Sequence, residues 1–198
     1  MEEVSPGIWH WTAVHPRIKV EVNSYYLPAE RVLIDPIAPS EGLDWFADHG
    51  PPTDVLLTNR HHYRSSARFA ERFGVTVHCV REGMHEFISS EQVEPFAFGD
   101  ELAGGVIAYA VGAICPDETA LHIPARDALA LADGAVRWEA GGPLAFVPDR
   151  YMDAPARTKE GLRESYRRLA KLDFQHLLLA HGEPFVGTGR QVLAAFAG

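Results

Sequence analysis

The sequence lacks most of the features that identify a function at sight. It has only two cysteines, Cys79 and Cys115, in 198 residues, and no CxxC pair. In a chain without a leader these read as buried, reduced thiols. There is no GxGxxG and no GxxxxGK[ST] loop, so dinucleotide and P-loop folds lose their main signal. No apolar run approaches the roughly 18 residues needed to cross a bilayer. Positive charge is scarce: 18 Lys and Arg stand against 27 Asp and Glu, a net charge of −9. Nucleic acid and anionic membranes, which need clustered positive charge, are therefore poor partners. The start, Met1 to Pro6, is acidic and has no apolar run, so no secretory signal and a cytoplasmic location are expected. No internal repeat or low-complexity tract is present.

What is present is ordinary globular composition, 46% hydrophobic and 23% charged. The length suits one domain, 1–198, with a sizeable core. Residues 17–26 alternate at period two, as a half-buried strand does. Arg31 to Ile34 follows as a strand. Ser40 is placed to cap a helix carrying Leu43, Phe46 and Ala47, which Gly50 and Pro51 end. Asp54 to Leu57, a polar loop over 58–64, a helix through Phe69 and Phe73, and Val75 to Val80 make a βαβ unit with parallel strands. Strands are also expected at 106–111, 119–123, 127–132, 136–138 and 174–180. The clearest helix, 158–172, carries Leu162, Tyr166, Leu169 and Leu172 on one stripe, and a closing helix follows at 189–197. Segment 139–157 reads as an extended loop, with a lid as one use.

Polar residues gather at three strand ends: Asn59 to Arg64, Asp133-Gly134 and His181-Gly182. In α/β sheets, ligand crevices open beyond the C-terminal ends of strands. The alternative is that strand ends are polar because they meet water. Ser65 and Ser66 read as helix caps. Trp9, Trp11, Tyr25 and Tyr26 read as core or cleft wall, and Phe87, Phe96 and Phe98 as core, with a cleft cover or subunit contact as the alternative.

The order of these pieces resembles the metallo-β-lactamase superfamily. Its Asn-x-Tyr and Val-Leu-Ile-Asp phrases are matched by Asn23 to Tyr26 and Val32 to Asp35. Its Thr-His-x-His-x-Asp-His motif falls on Thr58 to Arg64. Its Gly-His turn falls on Gly112-Ala113, its Gly-Asp strand end on Ala132-Asp133, and its His-Gly on His181-Gly182. The resemblance implies a four-layer αββα sandwich and a site with two metal ions sharing a water.

Carried over by position, three ligands survive, His61, Asp133 and His181, and Asn59, Tyr63, Arg64 and Ala113 replace the other four. Neither ion then keeps three protein ligands, and Arg64 repels a divalent cation. The expected cofactor is none at full occupancy, or zinc, iron or manganese if the site is rebuilt at His61, Asp133 and His181. Asn59, His62, Tyr63, Arg64 and Asp117 are the other cleft candidates. His62 is expected to point away from its neighbour's target, and Arg64 to pair with Asp133 in place of a metal.

Two functional readings follow. One is a divergent hydrolase-family member that has lost the dinuclear site and binds a small molecule or partner in the retained cleft. The other is an atypical hydrolase of small esters, amides, thioesters or lactones. Homo-oligomerisation stays open in both.

Overall fold

A computed structural model describes residues 1–89 and 91–198. Its first sheet has seven strands in sequence order: β1 (Glu2–Ser5), β2 (Ile8–Val14), β3 (Glu21–Leu27), β4 (Val32–Ile34), β5 (Asp54–Leu56), β6 (Thr76–Val80) and β7 (Val93–Phe96). The first four pair antiparallel, and β4 to β7 pair parallel. The βαβ reading therefore holds, with α2 (Ser66–Phe73) as the crossover and Gly74 closing it at φ +71°. The second sheet has the order β13 (His176–Leu179), β10 (Ala128–Leu131), β9 (Thr119–Ile123), β8 (Ile107–Ala110). Helices α1 (Asp44–Asp48), α3 (Pro155–Leu169) and α4 (Gly189–Ala197) complete the set.

Strand periodicity shows how these pieces stack, because successive side chains face opposite sides of a sheet. Leu33, Val55, Leu57 and Val77 join Phe46 of α1 and Phe69 of α2 in one buried cluster. Their neighbours Val32, Ile34, Leu56 and Val80 join Val106, Leu121, Ala130 and Leu178 of the other sheet in a second. Leu129, Leu131, Leu177 and Leu179 meet Leu162, Tyr166 and Leu169 of α3 and Leu193 of α4 in a third. Three apolar layers separate four layers of secondary structure, the αββα sandwich. Its strands are buried on both faces, which is why several read as continuous apolar runs.

The sequence reading needs correction at several places. The strand predicted over 17–26 begins at Glu21, and all six residues from Val22 to Leu27 are buried. The period-two pattern there is a coincidence of a hairpin turn, Lys19 at φ +56°, running into a fully buried strand. Ser40 does not cap α1; its hydroxyl goes to Glu41. Segment 139–157 holds half of a two-stranded ribbon, β11 (Ala135–Val136) with β12 (Ala145–Phe146), and the start of α3. Strands β1 and β7 were not anticipated: β1 is short and largely polar, and β7 is four residues long and contains Pro95. Phe96 sits in the layer between the sheets. Both cysteines are free. Among the described residues no helix is long and apolar enough to cross a membrane.

The two sheets are also joined by hydrogen bonds at one end. Asn23 N–H donates to Ala180 O at 2.9 Å, and Tyr25 Oη donates to Leu179 O at 2.8 Å while accepting from Leu179 N–H at 3.0 Å. Gly182 follows immediately, at φ +84°; a Cβ there would lie 1.7 Å from Arg137 O. Gly182→Ala is therefore expected to cost about 3 kcal/mol or more, from a left-handed backbone and a main-chain clash together. Urea denaturation measures it. A loss below about 1 kcal/mol would show that this turn relaxes freely.

Candidate metal and ligand site

The site forms where β4, β5, β10 and β13 end on the same side. Each loop that leaves them contributes polar groups, and the β5 loop contributes the most. Asp35 follows β4 at φ +48°, and its buried carboxylate turns back toward the β5 loop. It accepts Thr58 N–H at 2.8 Å and the Thr58 hydroxyl, and it holds His62 Nδ1 at 2.8 Å. Residues Arg60–Tyr63 form a 3-10 turn, with Asn59 at its N-cap accepting His61 N–H at 2.9 Å.

This turn decides which histidine faces inward. His62 is buried, and its Nε2 lies 3.1 Å from Asp133 Oδ1. His61, the expected ligand, has its ring exposed and outside the cluster. An extended path would have directed alternate residues inward. A 3-10 turn advances about three residues per revolution, so that alternation does not apply. The expectation that His62 points away is thus corrected.

The other ligand positions come together. His181 Nε2 lies 3.2 Å from Asp133 Oδ1, and its Nδ1 is 3.0 Å from Glu21 O. Asn59 Nδ2 donates to Asp133 Oδ2 at 3.1 Å. His62, Asp133 and His181 each offer a ligand atom within 4.8 Å of the others.

Arg64, Asp117 and Ala113 stand elsewhere than expected, and Tyr63 stands in the cleft wall. Arg64, at φ +43°, donates from Nη1 to Asn23 O at 2.5 Å and Asp35 O at 2.7 Å. The predicted pair with Asp133 is absent among the described residues, because two carbonyls at the strand ends take that nitrogen first. Asp117 is occupied outside the cluster, holding Arg60 N–H at 2.8 Å and the Arg60 guanidinium. Ala113 faces α3, 3.2 Å from where a Gly161 Cβ would stand, and lines a separate surface groove. Tyr63 lines the cleft wall and packs on Phe87, ring centroids 5.6 Å apart. Asp35 was missed as a site residue; its signal was its place at the end of Val-Leu-Ile-Asp.

Above the cluster is a cavity of about 470 Å³, lined by His15, Arg17 and Ile18 of the β2–β3 hairpin, by 60–64, by Glu86, Phe87 and Glu91, and by Asp133 and His181. Its volume suits a small molecule. The charges below it are coupled. Burial favours neutral His62, but Asp133 and Asp35 outweigh this and raise it to about 9. Burial likewise favours protonated Asp133 and Asp35; His62, with His181 at Asp133 and Arg64 at Asp35, reverses it and holds both below 3.8. His61 is lowered by burial and by Arg60, and His15 by burial, Arg64 and Arg17.

Could these residues hold the ions that such a cleft implies? A pair of ions does not fit: only the one His–Asp–His group is found among the described residues, and Arg64 is anchored beside it. A single ion fits better. His62 and His181 each turn the second ring nitrogen to an oxygen, Asp35 and Glu21 O, as metal-bound histidines do.

Comparison with known proteins adds a family. The sequence profile of the metallo-beta-lactamase superfamily matches residues 2–197. No curated protein sequence matches. Among solved structures, a metallo-beta-lactamase from Pontibacter korlensis superposes with a TM-score of 0.72 at 16% identity, covering 99% of this chain and 97% of that one. A metallo-beta-lactamase family protein from Thermus thermophilus gives 0.67 at 17% identity, over 98% and 79%. A protein solved in a di-iron-bound form gives 0.67 at 19% identity, over 93% and 96%. At these identities the likeness is one of fold.

The coupled charges predict a pH profile for chelator-treated protein. His62 is raised from 6.5 to about 9, so its stabilisation is complete below pH 6.5 and is lost as pH rises through 9. Asp35 and Asp133 are lowered from 3.8, so theirs is present above that value and is lost as pH falls. Unfolding free energy should therefore peak between about pH 4 and 6.5 and fall by on the order of 3 kcal/mol toward pH 9. A flat profile from pH 6.5 to 9 would contradict the assignment of His62 as a buried cation.

Proposed function

From the premise that the chain belongs to the metallo-beta-lactamase superfamily, we propose that it is a divergent, hydrolase-like member that works without the dinuclear centre. It binds a small molecule in the cleft at the strand ends. The observation that carries this reading is the charge balance beneath the cleft. Two carboxylates, Asp35 and Asp133, flank His62, which is held protonated at neutral pH, while the Arg64 guanidinium is anchored on main-chain carbonyls beside them. The set sums to zero without any metal. Carboxylates that elsewhere need a metal to be buried are here neutralised by the chain itself. An incoming divalent ion has to remove the His62 proton and then stand near a guanidinium; both weaken its binding.

A second reading is favoured by one observation, the mutual approach of His62, Asp133 and His181 with their outer partners. Two histidines and one carboxylate are a donor set used by catalytic zinc and by non-haem iron. An ion bound there supplies an acidified water for hydrolysis of an ester, amide, thioester or lactone. In that reading Asp35 fixes the His62 ring, Glu21 O fixes the His181 ring, and Asn59 orients Asp133. The walls formed by the hairpin and by Glu86, Phe87 and Glu91 shield the ligand from bulk water.

Elemental analysis of protein purified without a chelator or a metal-binding tag separates the two. The expected result is zinc, iron and manganese each well below one ion per chain. One ion per chain that is lost in His62→Ala would overturn the metal-free reading and favour the mononuclear hydrolase. Two ions per chain would contradict both.

A further inference from the structure

We propose that Arg64 anchors an oxyanion of the cleft's ligand, a carboxylate or a phosphoryl group, on the Nε–Nη2 edge of its guanidinium. This rests on the reading of the cleft as a binding site and names what it binds.

The argument starts from which N–H groups are already in use. Both hydrogens of Nη1 are directed at carbonyls, Asn23 O and Asp35 O. Nη2 is buried and has no hydrogen-bond partner. No contact from Nε to a described residue relieves the other side. A guanidinium has five N–H donors in a rigid plane, and the side carrying Nε and Nη2 presents two parallel ones. This spacing matches the two oxygens of a carboxylate or phosphoryl group.

The charge points the same way. A cation set this deep is costly unless an anion touches it. The two nearby carboxylates are taken: Asp35 by Thr58 and His62, Asp133 by Asn59, His62 and His181. Arg64 thus meets main-chain carbonyls, and among the described residues it forms no ion pair. The strained backbone at Arg64, φ +43° in a residue with a Cβ, is what turns this side chain inward. Strain of this kind persists where surrounding structure holds it, commonly at ligand sites.

The cavity completes the case. Arg64 forms part of its wall, with Ile18, Val22, Tyr63 and Phe87 offering apolar surface. Arg17 adds a second cation at the rim, whereas Arg60 is neutralised by Asp117. Glu86 and Glu91 also line the cavity, so the anionic end of a ligand belongs at Arg64 and its apolar body along the hairpin and Phe87. The ligand class is a small organic acid with an apolar body.

The test uses the full chain, uniformly labelled with nitrogen-15, before and after chelator treatment. Benzoate, phenyl phosphate and the neutral isostere benzamide are titrated while the arginine side-chain resonances are followed. The expected result is that at least one of the two anions shifts the Arg64 Nε signal saturably and binds at least about tenfold more tightly than benzamide. Which anion does so identifies carboxylate or phosphoryl recognition. Arg64→Lys keeps the charge and loses the fork, so it should weaken that anion by about tenfold or more. If that variant does not fold, the comparison of anion with benzamide on the unaltered chain still decides. Equal binding of benzamide, or no shift of Arg64 by either anion, overturns the proposal. Anion binding that disappears on chelator treatment overturns it together with the metal-free reading. Anion binding that survives in a protein found to carry zinc overturns only the metal-free reading.

Discussion

The carboxylate of Asp35 is the constraint on which the cleft depends. It sits at the end of β4, buried, and one oxygen pair holds Thr58 N–H, the Thr58 hydroxyl and His62 Nδ1. Its own carbonyl accepts Ser24 Oγ and Arg64 Nη1. One residue therefore sets the start of the β5 loop, the rotamer of His62 and the position of Arg64. A buried carboxylate with several donors is stable only as the full set, because any single loss strands a polar group. This explains why a short polar loop with an unusual backbone can hold a defined shape.

The fold was largely legible in the sequence. The βαβ unit and the Leu162–Tyr166–Leu169 stripe of α3 both survive, because each is fixed by which face must be buried. The phrases Asn23 to Tyr26 and Val32 to Asp35 survive for a different reason. Asn23, Tyr25 and Asp35 make the bonds that join the two sheets and shape the cleft floor. The candidate site was legible by strand end and not by residue. Asp133 and His181 could be placed because rigid strands lead straight into them. His61 was expected inside and His62 outside, and the structure reverses them, since the answer lies in the conformation of a 3-10 turn capped by Asn59. Arg64 was expected to seek Asp133. Its actual acceptors are main-chain carbonyls, and backbone acceptors leave no mark in side-chain sequence.

Charge rather than ligand count distinguishes this cleft. A site built around metal ions carries excess negative charge and is incomplete until they arrive. Here, His62 stands between the Asp35 and Asp133 carboxylates, and Arg64 is anchored on main-chain carbonyls beside them. The remaining asymmetry is local: the His62 side of the network is fully bonded, while Arg64 Nη2 is buried without a hydrogen-bond partner.

The hydrogen bonds that join β3 to β13 have a consequence for how this cleft can change over time. Tyr25 and Asn23 fasten the two sheets at the end that carries the cleft. The sandwich cannot splay there without exposing several buried polar groups at once. Adaptation to a new ligand, over generations or within one binding event, is thus channelled into parts that carry none of these bonds. The β2–β3 hairpin is the nearest, with Ile18 largely exposed at its tip. Its side chains can be exchanged with little cost to the core, so selectivity and stability are under separate control in this chain.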